Sequence, residues 1–171
     1  MSVELLLLRH GHALMVPPSW DDRSDFGRQL SEHGKQQSER VGEWIRSHHL
    51  NPDAIVCSSA VRTEATARAV CVAAELDQSV IDFEDSIYEA EVQNLLEVLC
   101  RTPKQVQRLL FVGHNPGLEM LAKKLAGNVP KSKTGEVMPP ATLVHIMLNG
   151  EWSQALETGA SCQQVFRPVL F

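Results

Sequence analysis

Four side chains in this sequence have the chemistry to work as a set: Arg9, His10, Arg62 and His114. A guanidinium is always charged and offers a planar fork of donors suited to phosphate or carboxylate. An imidazole near neutral pH can serve as nucleophile, base or acid. Two of each brought together would hold an anionic group and attack it. Gly11 follows His10 directly, and without a Cβ it lets the backbone turn sharply and a ligand come close.

Each of these residues follows a short apolar run. Leu5-Leu6-Leu7-Leu8 precedes Arg9-His10-Gly11-His12, and Ala54-Ile55-Val56-Cys57 precedes Ser58-Ser59-Ala60-Val61-Arg62-Thr63. Leu109-Leu110-Phe111-Val112 precedes Gly113-His114-Asn115-Pro116-Gly117. Such runs, bounded by polar turns, read as buried strands, each followed by the start of a helix. Ligand sites in open α/β sheets lie beyond the carboxyl ends of the strands, so the three ends would converge on one crevice.

These stretches, in this order, resemble the histidine phosphatase superfamily: Arg9-His10-Gly11, then Ser58-Ser59 with Arg62-Thr63 and Thr66-Ala67, then Gly113-His114-Asn115-Pro116-Gly117. The short length and the details around the motifs resemble its SixA-type branch, the phosphohistidine phosphatases. The resemblance runs from Leu5 to about Asn149. It implies a three-layer α/β/α sandwich with a mixed, mostly parallel central sheet, flanking helices and no large lid insertion. It also implies that His10 is the nucleophile, forming a phosphohistidine intermediate that water hydrolyses, while Arg9, Arg62 and His114 clamp the phosphoryl group. No metal or other cofactor is required on this scheme, because two guanidiniums and an imidazolium take a metal's place. The physical chemistry agrees, since neighbouring arginines disfavour imidazolium and leave the attacking lone pair available.

Further residues stand at the margins. His12 occupies a place where many relatives carry a charged residue, and it reads as a rim residue. The Asp25-x-x-Arg28-x-Leu30-Ser31-x-x-Gly34 pattern resembles the family's link between first strand and first helix, which makes Arg28 a peripheral contact or a solvated arginine. Asn115 stands where the acid phosphatase branch usually has Asp, and an amide cannot protonate a leaving group. Glu89 is then the nearest available carboxylate for a general acid.

The substrate implied is a phosphorylated protein of the histidine phosphotransfer type or a small phosphate ester. Alternatives are a small-molecule phosphomonoesterase or phosphoglycerate-mutase-like enzyme, and a non-catalytic phosphate-binding adaptor module. A dinucleotide-binding domain is disfavoured, because no G-x-G-x-x-G follows the first strand.

The 171 residues fit one domain spanning 1–171, and the formal net charge of −5 argues against nucleic acid or an anionic membrane as a general partner. With no signal-like start and no run of about 20 apolar residues, a cytoplasmic protein is expected. Cys57, Cys71, Cys100 and Cys162 form no C-x-x-C pair and read as reduced thiols.

Between the motifs, a polar loop over 14–28 carries Pro17-Pro18, Trp20 and Asp21-Asp22, and Ser31 caps a helix reaching about His48. His48 and His49 end it as structural residues. The Ser58-Ser59 pair is expected to cap a helix over about 61–75. Arg62 in its first turn calls for an anion to offset the positive helix end, while Arg68 faces solvent. Residues 79–83 read as an edge strand, and Val92, Leu95, Leu96 and Leu99 mark a helix. After Pro116, Leu118, Met120, Leu121 and Leu125 are expected to cover the sheet. Residues 142–148 and about 152–156 read as two strands joined at Asn149-Gly150, with His145 a bonded histidine in the first and residues from Gly159 undefined.

Overall fold

The computed structural model describes residues 1–15 and 23–169; the Pro17-Pro18, Trp20 and Asp21-Asp22 segment lies outside the described residues. Six strands form one sheet: β1 (Ser2–Arg9), β2 (Ala54–Cys57), β3 (Ile81–Phe83), β4 (Arg108–Gly113), β5 (Leu143–Asn149) and β6 (Ala160–Phe166). Their spatial order is β3-β2-β4-β1-β5-β6. β1, β2, β3 and β4 run parallel, while β5 and β6 are antiparallel to their neighbours.

Besides the short α1 (Arg23–Phe26), the helices α2 (Glu32–Ser47), α3 (Val61–Ala74), α4 (Val92–Cys100) and α5 (Gly117–Ala126) divide between the two faces of this sheet. Alternation along β1 shows how. Leu5 and Leu7 pack with Leu95 and Leu99 of α4 and with Leu118 and Leu121 of α5. Leu6 and Leu8 pack with Val41 and Ile45 of α2 and with Ala67 and Val70 of α3. Side chains alternate across a strand, so a run of four leucines fills both interior layers. The result is the expected α/β/α sandwich with a mixed, mostly parallel sheet.

α2 begins where the Ser31 side chain accepts a hydrogen bond from the Gly34 amide at 3.0 Å. It crosses α3 closely, because a Cβ on Gly42 would lie 2.5 Å from the Val70 carbonyl oxygen. α2 ends at His48, whose ring stacks on Trp44 with centroids 4.2 Å apart, and His49 has a φ of 55°. His145 Nε2 lies 2.8 Å from Glu4 Oε2, the partner expected of it. The four cysteines are free thiols.

The structure corrects several local expectations. Gln78–Val80 forms a 3-10 turn, so the edge strand β3 is confined to Ile81–Phe83. Met120 is about half exposed, and α5 covers the sheet with Leu118, Leu121 and Leu125 instead. No strand forms at 152–156: Trp152–Gln154 is a 3-10 turn in which Trp152 is buried and donates Nε1–H to the Val106 carbonyl at 2.8 Å. The strand that follows β5 and pairs with its outer edge is β6, drawn from residues left undefined by the sequence, and the connection is longer than a two-residue turn. Apolar positions 152 and 155 are three apart and both buried, which suits a helical turn rather than a strand.

Candidate active site

The carboxyl ends of β1, β2 and β4 open into one cavity of about 990 Å³, lined by Arg9, His10, His12, Arg28, Arg62, Glu89 and His114. Every candidate residue named from the sequence therefore borders the same space. Arg62, His10 and His114 are nearly buried, at 6%, 8% and 9% exposure, whereas His12 and Glu89 are exposed at the rim.

The turn after β1 is fixed on several sides. The His10 amide donates to the Gly113 carbonyl at 3.1 Å, and the His10 carbonyl accepts from the Ala141 amide at 3.0 Å. The Gly11 amide donates to Thr66 Oγ1 at 3.1 Å. A Cβ on Gly11 would lie 2.4 Å from the Gly34 carbonyl oxygen, so only glycine lets the turn and the start of α2 approach this closely. His12 is held outward by Ser31, with Nδ1 and Oγ 2.8 Å apart.

His10 is held in one tautomer. Its Nδ1 lies 2.7 Å from the Gly11 carbonyl, which can only accept, so the proton resides on Nδ1. On the other edge, Arg62 donates its Nε–H to Nε2 at 3.3 Å, which requires the lone pair there. Burial, followed by the Arg62 and Arg9 charges, depresses the His10 pKa to about 4 despite the opposing bond to Gly11. The ring is neutral at physiological pH, with its lone pair on Nε2.

His114 stands beside it, ring centroids 5.3 Å apart. Its Nε2 lies 2.7 Å from Ser58 Oγ, and its buried Nδ1 finds no partner among the described residues. Burial first, then Arg62, lowers its pKa to about 3, so the imidazolium anticipated from the sequence is a neutral ring here. The expected capping role of the serines is also corrected. Ala60 occupies the N-cap of α3 without a side-chain bond; Ser58 Oγ bonds His114 and accepts a long 3.4 Å bond from the Ala60 amide, ahead of the helix, and Ser59 bonds Asp85. Arg9 donates from Nη1 to the Met138 carbonyl at 3.0 Å, and Asn115 donates to the same oxygen at 2.9 Å. Arg9 Nε is buried without a partner among the described residues.

Two participants escaped the sequence reading. Asp25, in α1, accepts from Arg62 Nη2 at 3.1 Å and from the Tyr88 hydroxyl at 2.7 Å on Oδ2. Its Oδ1 accepts from Arg28 Nη1 at 3.1 Å, and its backbone carbonyl accepts from Arg62 Nη1 at 2.6 Å. The anion that offsets Arg62 at the start of α3 is thus a side chain of the chain itself. Burial would raise the Asp25 pKa, but bonds from Tyr88 and Arg28 and the Arg62 charge outweigh it and hold it at about 2. The signal available was Asp25 one turn before Arg28, together with Tyr88 as the only tyrosine in the chain.

Residues 5–95 match the family model described as histidine phosphatase superfamily, branch 1. The chain belongs to this superfamily. It is 31% identical over 148 residues to an uncharacterized chloroplastic protein of Arabidopsis thaliana; the match covers 78% of this chain and 64% of that protein, somewhat under two thirds of its length. It is 27% identical over 173 residues to a phosphohistidine phosphatase SixA homolog of Haemophilus influenzae, covering 93% of this chain and 96% of the homolog. In fold it resembles a Nakamurella multipartitia protein provisionally named phosphohistidine phosphatase SixA. The TM-score is 0.81 at 24% identity, over 99% of this chain and 98% of that one. The SixA-type resemblance read from the motifs therefore extends to the whole architecture.

Among the described residues, no group of three or more His, Cys, Asp or Glu side chains is placed to hold a metal ion, and no helix is long and apolar enough to cross a membrane.

Proposed function

We propose that this protein is a metal-independent phosphohistidine phosphatase that acts on a phosphorylated partner protein through a covalent intermediate on His10. The observation that carries this reading is the locked tautomer: Nδ1–H bonded to Gly11 on one side, Nε2 unprotonated beside Arg62 on the other. A lone pair held on a buried nitrogen amid three arginines is arranged to attack an electrophilic phosphorus.

In the first step Nε2 forms a bond to phosphorus as the bond from phosphorus to the leaving nitrogen breaks. Arg62 shifts its Nε–H from Nε2 to a phosphoryl oxygen as the lone pair is used, and the Arg9 guanidinium, which also lines the cavity, supplies a second positive charge. Positive charge that develops on the His10 ring is stabilised by the Gly11 carbonyl at Nδ1–H. A substrate imidazole protonated on its second nitrogen leaves as neutral imidazole and needs no acid. This suits a site in which Asn115 replaces an acid and Asp25 is held ionised. In the second step water attacks phosphorus, the bond to Nε2 breaks, inorganic phosphate departs, and a proton passes to the phosphate or to solvent.

The test compares kcat/KM for a phosphohistidine-carrying protein with values for a phosphoserine peptide, a sugar phosphate and p-nitrophenyl phosphate. Chelator in the assay is expected to leave the rates unchanged. Preference for the phosphohistidine protein is the expected outcome, and a clear preference for a monoester would replace this reading. Glu89 at the cavity rim favours that second reading, a small-molecule phosphomonoesterase, in which Glu89→Gln would remove monoester hydrolysis.

A further inference from the structure

We infer that Asp25 is a positioning residue that competes with the phosphoryl group for Arg62, aligning the nucleophile in the free protein and weakening the hold on product phosphate. The inference rests on the proposed phosphate site at His10.

Arg62 is nearly buried, and three of its N–H groups are already engaged. Nε faces His10, Nη1 the Asp25 carbonyl, and Nη2 the Asp25 carboxylate. Five N–H donors exist on a guanidinium, so two remain for a ligand. The Asp25 carboxylate is itself fixed from three directions, by Arg62, by Arg28 three residues further along the chain, and by the Tyr88 hydroxyl. The Tyr88 ring packs edge-on to Phe26, with centroids 5.0 Å apart, which secures the segment carrying the carboxylate. Removal of this clamp would let the guanidinium rotate, and its Nε would lose its alignment on His10 Nε2.

The same carboxylate is a fixed negative charge beside an anion site. A phosphoryl group attached to Nε2 would lie against the guanidinium that Asp25 already neutralises, so the two anions repel each other and share donors. Interactions of this kind act on bound phosphate and bound substrate alike, and they therefore change affinity more than the relative height of the barrier. A site with Arg9, Arg28 and Arg62 uncompensated would hold inorganic phosphate tightly and release it slowly.

Asp25→Asn keeps the shape and removes the charge. It is expected to bind inorganic phosphate about five- to tenfold more tightly by calorimetry. Its kcat and KM should both fall, so that kcat/KM changes less than either. A carboxylate with only a scaffolding role would give the opposite sign, weaker phosphate binding in the variant. Phosphate affinity equal to or weaker than that of the wild type, in a variant folded by circular dichroism, overturns the inference and leaves the phosphate site standing. Wild-type phosphate affinity that Arg62→Ala leaves unchanged overturns both. Should the asparagine variant not fold, Asp25→Ser removes the charge with a smaller side chain, and the same tightening is required of it.

Discussion

The Nε of Arg62 lies 3.3 Å from Nε2 of His10, so the lone pair proposed to attack phosphorus is capped at rest by the donor proposed to pass to a phosphoryl oxygen. This relationship divides labour between the two residues. On the proposed reading, His10 makes and breaks the covalent bond, and Arg62 contributes charge-assisted hydrogen bonds already present when phosphate binds.

Substitution of each should therefore leave a different signature. His10→Ala is expected to lower turnover by about 10⁴-fold or more while phosphate affinity is largely kept. Arg62→Ala should lower both, with phosphate binding weaker by about 1.5–3 kcal/mol. Acid-labile, alkali-stable labelling of the wild type by substrate, absent from His10→Ala, checks the covalent step. Full turnover by His10→Ala would exclude this residue as nucleophile.

The depressed pKa of His10 sets an acid limb. On the proposed mechanism only the neutral ring attacks, and its pKa of about 4 means that kcat/KM should hold through the range near 6.5 where an ordinary histidine protonates, falling only near pH 4. An acid limb near 6.5 would show that the ring is not desolvated as described.

Stability should move over the same interval. The unfolded chain protonates these histidines near 6.5, whereas folded His10 and His114 resist to about 4 and about 3. The unfolded state then binds more protons, so stability declines as pH falls below about 6.5. Asp25 acts at lower pH: its pKa of about 2 stabilises the fold above the unfolded value of 3.8 and loses that effect as pH falls towards 2. Urea midpoints measured between pH 7 and 4 test the histidine part, and His114→Gln should flatten the slope.

Much of this site could be read from the sequence, for local reasons. A leucine run filling both layers, followed at once by Arg9 and His10, specifies a strand end without tertiary help. Asp25 could not be read this way, because its partners Arg62 and Tyr88 lie 37 and 63 residues away. Ser58 gave a misleading signal, since a serine before a helix suggests a cap and only the position of His114 redirects it. β6 was missed because Ala160–Phe166 mixes Ser161, Gln163 and Gln164 with apolar residues in no regular alternation and sits at the sheet edge, where one row of neighbours imposes little.

Trp152 gives a test of that corrected region. Trp152→Phe preserves most of the volume but leaves the Val106 carbonyl without its donor, at a cost of about 1–2 kcal/mol. Trp152→Ala should cost about 3–5 kcal/mol. Both are read from chemical denaturation, and the phenylalanine variant should retain wild-type kcat.

At the turn itself, Gly11→Ala introduces a methyl group 2.4 Å from the Gly34 carbonyl oxygen. Backbone rather than a flexible side chain must yield, so a loss of about 1–3 kcal/mol is expected together with a larger loss of turnover. Unchanged kinetics would show that the start of α2 can retreat without moving His10.

Arg167, just past β6, donates to the carbonyls of Pro130 and Val137, and the next residue, Met138, carries the carbonyl that receives Arg9 and Asn115. A peripheral strand is thereby moored to the candidate site through a single loop. Peripheral strands are the first to open in partial unfolding, and their amides exchange with solvent before those of central strands. Fraying at this border would slacken the moorings of Arg9 while β1 and its leucines stay packed. Inactivation under mild denaturant should accordingly run ahead of the loss of secondary structure, and hydrogen exchange in β6 should track the lost activity.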